Sequence, residues 1–134
     1  MGTINRFEDL EIWQLSRILS KEIFDLTQNS KLSKDYEMKD QMNRSAGSVM
    51  DNVAEGFGRG SRLEFIQFLS IASGSSDELK SQLYRCLDRG YLKNDDFDKL
   101  YEKANAVYKK INGFIKYLNT SMVKGTKFKD RLSK

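Results

Sequence analysis

The sequence predicts an all-α protein: an up-down-up-down four-helix bundle followed by a short, flexible basic C-terminal tail. Apolar residues recur at intervals of three and four along four long segments, no segment alternates with period two, and the 134 residues contain no proline. The length suits one domain. We therefore assign residues 1–120 to the bundle and residues 121–134 to the tail.

The first helix is predicted to begin near Glu8 and to end near Thr27, with Asn5 and Glu8 as its capping pair. Its apolar stripe is predicted to consist of Leu10, Trp13, Leu15, Leu19, Ile23 and Leu26, widened by Ile12, Ile18 and Phe24. After a polar linker, Ser33 or Asp35 is expected to cap the second helix.

The second helix is predicted to begin near Lys34 and to end near Phe57, where glycines stand at the alternate positions 56, 58 and 60. It carries two neighbouring stripes. The apolar stripe comprises Met38, Met42, Ala46, Val49, Met50, Val53 and Phe57. The polar stripe comprises Gln41, Arg44, Ser45, Ser48, Asn52 and Glu55. The solvent face of a surface helix is usually rich in Lys and Glu, so this second stripe favours specific hydrogen bonding.

The third helix has the clearest start signal, since Ser61 and Glu64 form a capping box. The helix is predicted to run from Arg62 to about Asp88. Its core stripe is Phe65, Leu69, Ala72, Ser76, Leu79, Leu83 and Cys86. Gly74 lies within five consecutive small residues, so a break in the helix at this point is an alternative interpretation. Because the period resumes in phase, a continuous helix that another helix approaches closely is favoured.

The last helix is expected to be capped by Asp95 or Asp96 and to keep its period to Leu118. Its apolar residues form a seven-residue repeat, typical of nearly parallel or antiparallel packed helices. They are Phe97, Leu100, Ala104, Val107, Ile111, Phe114 and Leu118. Beyond Leu118 the period is lost and lysine becomes frequent.

The composition disfavours catalysis. The chain has no histidine, which removes the commonest general base and the His-containing metal sites, and its single cysteine, Cys86, is expected in the core. We predict no catalytic residue, cofactor or metal site. No apolar run is long enough to span a membrane, and the unpaired cysteine fits a reducing, cytoplasmic setting.

The polar stripe has two interpretations, a solvated helix face or a network between helices or subunits. We favour the network, with Arg44 pairing with Glu78. The predicted interface residues are Trp13, Gln41, Arg44, Ser48, Asn52, Glu55, Ser75 and Glu78.

The formal net charge is +4, and the segment from Lys109 to Lys134 is strongly basic. The candidate nucleic-acid-binding residues are Arg59, Arg62, Lys124, Lys127, Lys129 and Arg131. For Arg59 and Arg62 a tight turn with solvated side chains is favoured over an anion site, and for the tail a solvated segment is favoured over phosphate binding.

Several motifs together resemble the four-helix-bundle family of 23S rRNA intervening-sequence proteins, also labelled as ribosomal proteins. In the first two helices they are Phe7-Glu-Asp-Leu10 with Trp13, residues 41–46 with Ser48, and Asn52-Val-Ala-Glu-Gly56. In the third they are Ser61, Glu64-Phe65, Phe68-Leu69, Ala72, Gly74-Ser75 and Glu78-Leu79. The combined match spans nearly the whole chain.

The resemblance implies a bacterial, non-enzymatic bundle that assembles as a ring-shaped homo-oligomer, a pentamer, with a nucleic-acid or protein-scaffolding role. A distant relative, the accessory protein of diversity-generating retroelements, implies the alternative: an accessory that binds RNA or DNA and a reverse transcriptase. Asn43 and Ser73 stand where the family tends to carry arginine, which weakens a nucleic-acid role.

Overall fold

The computed structural model describes residues 4–28 and 31–121, without the side chain of Ser121. Four helices span α1 (Glu11–Gln28), α2 (Tyr36–Gly58), α3 (Arg62–Asp88) and α4 (Asn94–Ser121). Each helix packs on the next, and α4 packs back on α1. The predicted all-α bundle is confirmed. The tail residues 122–134 lie outside the described residues.

Hydrogen bonds between neighbouring helices show the up-down-up-down order. Along α2 and α3, Ser45 meets Glu78 and Ser48 meets Ser75, so position numbers rise on one helix as they fall on the other. Between α4 and α1, Lys110 meets Glu11 and Lys103 meets Glu22, again in antiparallel order. The connections between the helices are therefore short turns at alternating ends of the bundle.

The predicted apolar stripes of α2, α3 and α4 form the core. Every residue of the predicted α3 stripe is buried, and Met50 and Phe57 of α2 and Leu100 and Phe114 of α4 are partly buried at its edge. The prediction for α1 was too broad, because Ile18 and Phe24 are exposed.

Trp13 is partly buried and packs edge-on against Phe7, with ring centroids 5.0 Å apart. A half-buried indole suits the edge of a core because it combines a large apolar ring with a polar N–H.

Some helix ends differ from the predictions. A short 3-10 turn, Phe7–Asp9, precedes α1, and its N-cap is Arg6, which makes no side-chain capping bond. The predicted Asn5 cap is wrong: only the backbone N–H of Asn5 is engaged, by Asp9 Oδ2 at 3.3 Å.

A second 3-10 turn, Lys31–Lys34, precedes α2, so this helix begins later than predicted. Asp35 is its cap and accepts from the Met38 N–H at 3.2 Å. Ser61 caps α3 as predicted and accepts from the Glu64 N–H at 3.3 Å. α4 begins at Asn94, so Asp95 and Asp96 lie in its first turn.

The glycines that follow α2 and α3 act as predicted, whereas Gly56 does not. Gly60 and Gly90 take positive φ, +71° and +75°, in the turns that follow α2 and α3. Gly56 lies inside α2, where a Cβ would stand 2.6 Å from the Phe68 Cβ. Helix α3 is continuous through Gly74, yet a Cβ there would meet nothing within 4 Å. The close helix approach is therefore at Gly56.

Candidate functional site

The polar stripe of α2 joins α2 to α3 along their shared outer edge. Ser45 Oγ donates to Glu78 Oε1 at 2.9 Å, and the hydroxyls of Ser48 and Ser75 lie 2.9 Å apart. Asn52 donates to the Ser48 carbonyl oxygen at 2.8 Å and to its hydroxyl at 3.0 Å. Ser45 and Ser48 thus bond α2 to α3 within one chain, whereas both bonds of Asn52 stay within α2.

Two further members of the polar stripe, Gln41 and Glu55, form hydrogen bonds or ion pairs near the ends of this contact between α2 and α3. Arg85 Nη1 donates to Gln41 Oε1 at 3.2 Å, and Gln41 Nε2 donates to Glu37 Oε1 at 3.2 Å. Arg59 Nη2 lies 2.9 Å from Glu55 Oε2. These groups are more exposed, and ion pairs in water contribute little to stability.

The predicted pairing of Arg44 with Glu78 does not form within the chain. Glu78 Oε1 accepts from Ser45, while Arg44 makes no hydrogen bond or ion pair to the described residues. Arg44 is exposed, so its guanidinium can stay hydrated without a partner. Whether the two residues pair across a subunit boundary remains a prediction.

A groove of about 240 Å³ runs along this seam, and polar side chains alone line it. The lining residues are Gln41, Arg44, Ser45, Ser48, Ser75, Glu78 and Gln82. Gln82 was not predicted as a site residue. It is only 5% exposed, and its Oε1 has no hydrogen-bond partner among the described residues. Buried amides are normally paired, so this group marks the groove floor as unusual.

One sequence signal pointed to Gln82. It lies four residues after Glu78 and between two members of the apolar stripe, Leu79 and Leu83. A glutamine at that place in the period must face either the core or the seam with α2. The pattern could not say whether another side chain would satisfy the amide.

The turn between α2 and α3 does not present two free arginines. Arg59 is paired with Glu55, and its guanidinium carbon lies 5.0 Å from the centre of the Phe68 ring. Arg62, at the start of α3, is partly buried. The remaining candidates for nucleic-acid binding, Lys124, Lys127, Lys129 and Arg131, lie outside the described residues.

At the end of the bundle next to the α3–α4 turn, Asp35 collects three donors. It accepts from the Met38 N–H, from Tyr91 Oη at 2.7 Å and from Arg89 Nη1 at 2.9 Å. The Tyr91 hydroxyl, then the Met38 N–H, hold the pKa of Asp35 below its usual value, with Arg89 adding to them. The cluster is a structural tie between α2 and the α3–α4 turn.

Lys80 fills the seam between α3 and α4. Its ammonium lies 3.9 Å from the centre of the Tyr108 ring and donates to Asn105 Oδ1 at 3.1 Å. Asp77 Oδ1 lies 3.0 Å away. All of these partners come from the same chain, so this cation is part of the packing and not a free binding group.

Comparison with known families supports the expected relationship. The sequence model described as "23S rRNA-intervening sequence protein" matches residues 8–113. The chain belongs to this family. The match includes α1, α2, α3 and most of α4, hence both helices that form the groove.

A solved structure shares the fold of this family member. It is a protein of unknown function of the S23 ribosomal protein family from Bacteroides thetaiotaomicron. The TM-score is 0.73 at 22% identity, over 78% of this chain and 95% of that one. A comparison with curated proteins finds no match. Among the described residues, no helix combines the length and apolarity needed to cross a bilayer.

Proposed function

We propose that this protein is a non-enzymatic, cytoplasmic bundle whose main biochemical property is self-assembly into a ring-like homo-oligomer. The proposed interface comprises the outer surfaces of α2 and α3 together with the Trp13 side of α1. The resemblance stated above supports a pentamer and a nucleic-acid or protein-scaffolding role.

The outer face of α3 carries this proposal. Gly74 lies in mid-helix, where glycine costs about 1 kcal/mol relative to alanine, and no neighbour among the described residues requires its missing side chain. Ile71, one turn earlier, is 52% exposed. A second copy packing on this face would bury Ile71 and make use of the space at Gly74.

The side of α1 that carries Trp13 offers a different surface for the same contact. A shallow cavity there is lined by Trp13, Gln14, Arg17, Ile18 and Lys21. Joining two different surfaces generates a ring when the rotation between copies closes, whereas a contact between identical surfaces generates a two-fold dimer. Two unlike surfaces therefore support a ring.

Sedimentation equilibrium tests the proposal. The wild type is expected at a multiple of the 15.5 kDa chain mass, and Ile71→Asp is expected to shift it towards the single-chain mass with unchanged helix content by circular dichroism. The matched control is Tyr117→Asp, since Tyr117 is 49% exposed on α4. A wild type at the single-chain mass, or an Ile71→Asp variant with the full mass, would refute the proposal.

The alternative function is that of a nucleic-acid-binding accessory protein to a reverse transcriptase. It is favoured by Lys109 and Lys116, exposed on α4, whose ammonium groups make no ion pair to the described residues. Retention on random RNA or DNA that falls steeply as salt rises, and that weakens in a Lys109→Gln/Lys116→Gln variant, would support it. Retention that ignores salt would exclude it.

A further inference from the structure

The outer face of α1 carries an ion pair between two exposed apolar side chains. Lys21 Nζ lies 2.9 Å from Asp25 Oδ2, and both side chains are more than half exposed. Ile18 and Phe24, on either side of this pair, are 53% and 52% exposed. Ile18 and Lys21 also line the shallow cavity that contains Trp13. A continuous apolar surface of this kind is typical of a place where another protein binds.

The groove between α2 and α3 carries charges that complement this face. Of the described residues that line it, two are charged, Arg44 and Glu78. Arg44 forms no ion pair with the described residues, and Glu78 accepts from Ser45 through one carboxylate oxygen only. We infer that the Lys21–Asp25 face of one copy seats on the groove of the next copy. In this contact Lys21 lies against Glu78, and Asp25 lies against Arg44.

The inference rests on the proposed self-assembly and names its contact. The positions of the two surfaces along the bundle axis support it. Asn43 of α2 donates to Thr27 of α1 at 3.0 Å, and Ser45 of α2 donates to Glu78 of α3. Asp25 precedes Thr27 by two residues on the antiparallel helix, so it lies at the same height as Ser45 and Glu78. In a ring whose axis runs along the bundle, copies meet at equal heights, so these surfaces meet without a shift.

The charges also set the orientation of the contact. Each copy presents one cation and one anion on each surface, and the proposed arrangement places unlike charges together at both positions. The opposite arrangement would place Lys21 against Arg44, and juxtaposed like charges disfavour a contact strongly. The long side chains of the groove add methylene surface, against which Ile18 and Phe24 can pack.

Charge reversal with rescue tests the inference by sedimentation equilibrium of the full chain. Glu78→Lys and Lys21→Glu are each expected to raise the dissociation constant of the assembly at least about tenfold, because like charges then meet. The double variant Lys21→Glu/Glu78→Lys restores unlike charges and should assemble like the wild type. The matched control is Lys116→Glu/Glu78→Lys, which has the same net charge. It should not restore assembly, because Lys116 lies on α4.

The second charge pair repeats the test without altering Glu78, whose bond to Ser45 contributes to the fold. Arg44→Asp should weaken assembly, and Arg44→Asp/Asp25→Arg should restore it. Thermal melting followed by circular dichroism measures whether each variant is folded.

Three results would overturn the inference. The first is an assembled wild type whose charge reversals keep the full mass, and the second is a loss of assembly that the double variants do not restore. The third is restoration of Glu78→Lys by Arg44→Glu in place of Lys21→Glu, which would pair Glu78 with Arg44 of the next copy. All three leave the proposed function standing, whereas a wild type at the single-chain mass contradicts both.

Discussion

Gly56→Ala should destabilise the bundle although alanine is the better helix former. Gly56 is a buried residue within α2, so helix propensity alone predicts a gain of about 1 kcal/mol. Packing opposes this gain. The new Cβ would lie 2.6 Å from the Phe68 Cβ and 3.0 Å from the Phe65 Cδ1, and real Cβ atoms essentially never approach within 3.0 Å.

The packing cost should exceed the gain because the nearest atom cannot move by itself. The Phe68 Cβ is bonded directly to the backbone, so relief requires a shift of α3 against α2. Overpacking of this kind costs about 1–3 kcal/mol, and a clash with a backbone-anchored atom lies at the upper end. We therefore expect a net loss of about 2 kcal/mol, which for a chain of this size lowers Tm by about 8 °C.

Gly47→Ala is the matched control, since Gly47 lies in the same helix and a Cβ there would meet nothing within 4 Å. It should raise stability by about 0.5–1 kcal/mol. Thermal and urea unfolding at one protein concentration would measure both changes. If both variants were stabilised, or both were destabilised alike, the argument from close helix approach would be refuted.

Two further predictions concern titratable groups. Since the pKa of Asp35 is lowered in the fold, its contribution to stability is present above its ordinary value of 3.8 and is lost as the pH falls through the lowered pKa. The free energy of urea unfolding should therefore depend less on pH across the acid range in Asp35→Asn than in the wild type. An unchanged dependence on pH would contradict this. Burial raises the pKa of Cys86 from 9.0 to about 11, so at pH 8 its thiolate is roughly 100-fold scarcer than in the unfolded chain. Iodoacetamide should therefore label Cys86 in the native protein at least that much more slowly than in the unfolded protein. Equal labelling rates with and without denaturant would contradict this prediction.

Helical periodicity predicted the fold because burial repeats with the helix. The stripe from Phe65 to Cys86 is buried throughout, and the capping signals at Asp35 and Ser61 gave two helix starts. Periodicity was less reliable at the edges of stripes. Phe24 is apolar and lies beside the buried stripe of α1, yet it is exposed, because the neighbouring helices cover only part of this wide apolar face.

The glycines show why packing detail could not be predicted in the same way. The sequence predicts that Gly56 helps to end α2 and that another helix closely approaches the small residues around Gly74, but among the described residues it is Gly56 that an adjacent helix approaches closely. Neither local sequence gives the distance to the adjacent helix. What differs is how closely the adjacent helix passes, which depends on the relative rotation of two helices and is not encoded in either stripe alone.

The same limit explains how the candidate site was only partly predicted. The period placed Ser45, Ser48 and Asn52 together on one edge of α2; the structure uses Ser45 and Ser48 to bond α2 to α3, while Asn52 donates to Ser48 within α2. Hydrogen bonds of this kind fix the register of two helices, but the side chains that form them have little hydrogen-bonding capacity left for a ligand or a partner. The groups of this stretch that make no bond to the described residues are the guanidinium of Arg44 and the amide oxygen of Gln82. Arg44 came from the sequence pattern, whereas Gln82 became visible only when its lack of a partner could be seen. Candidate binding groups are therefore identified by listing the polar side chains of a surface and setting aside those that already form hydrogen bonds within the fold.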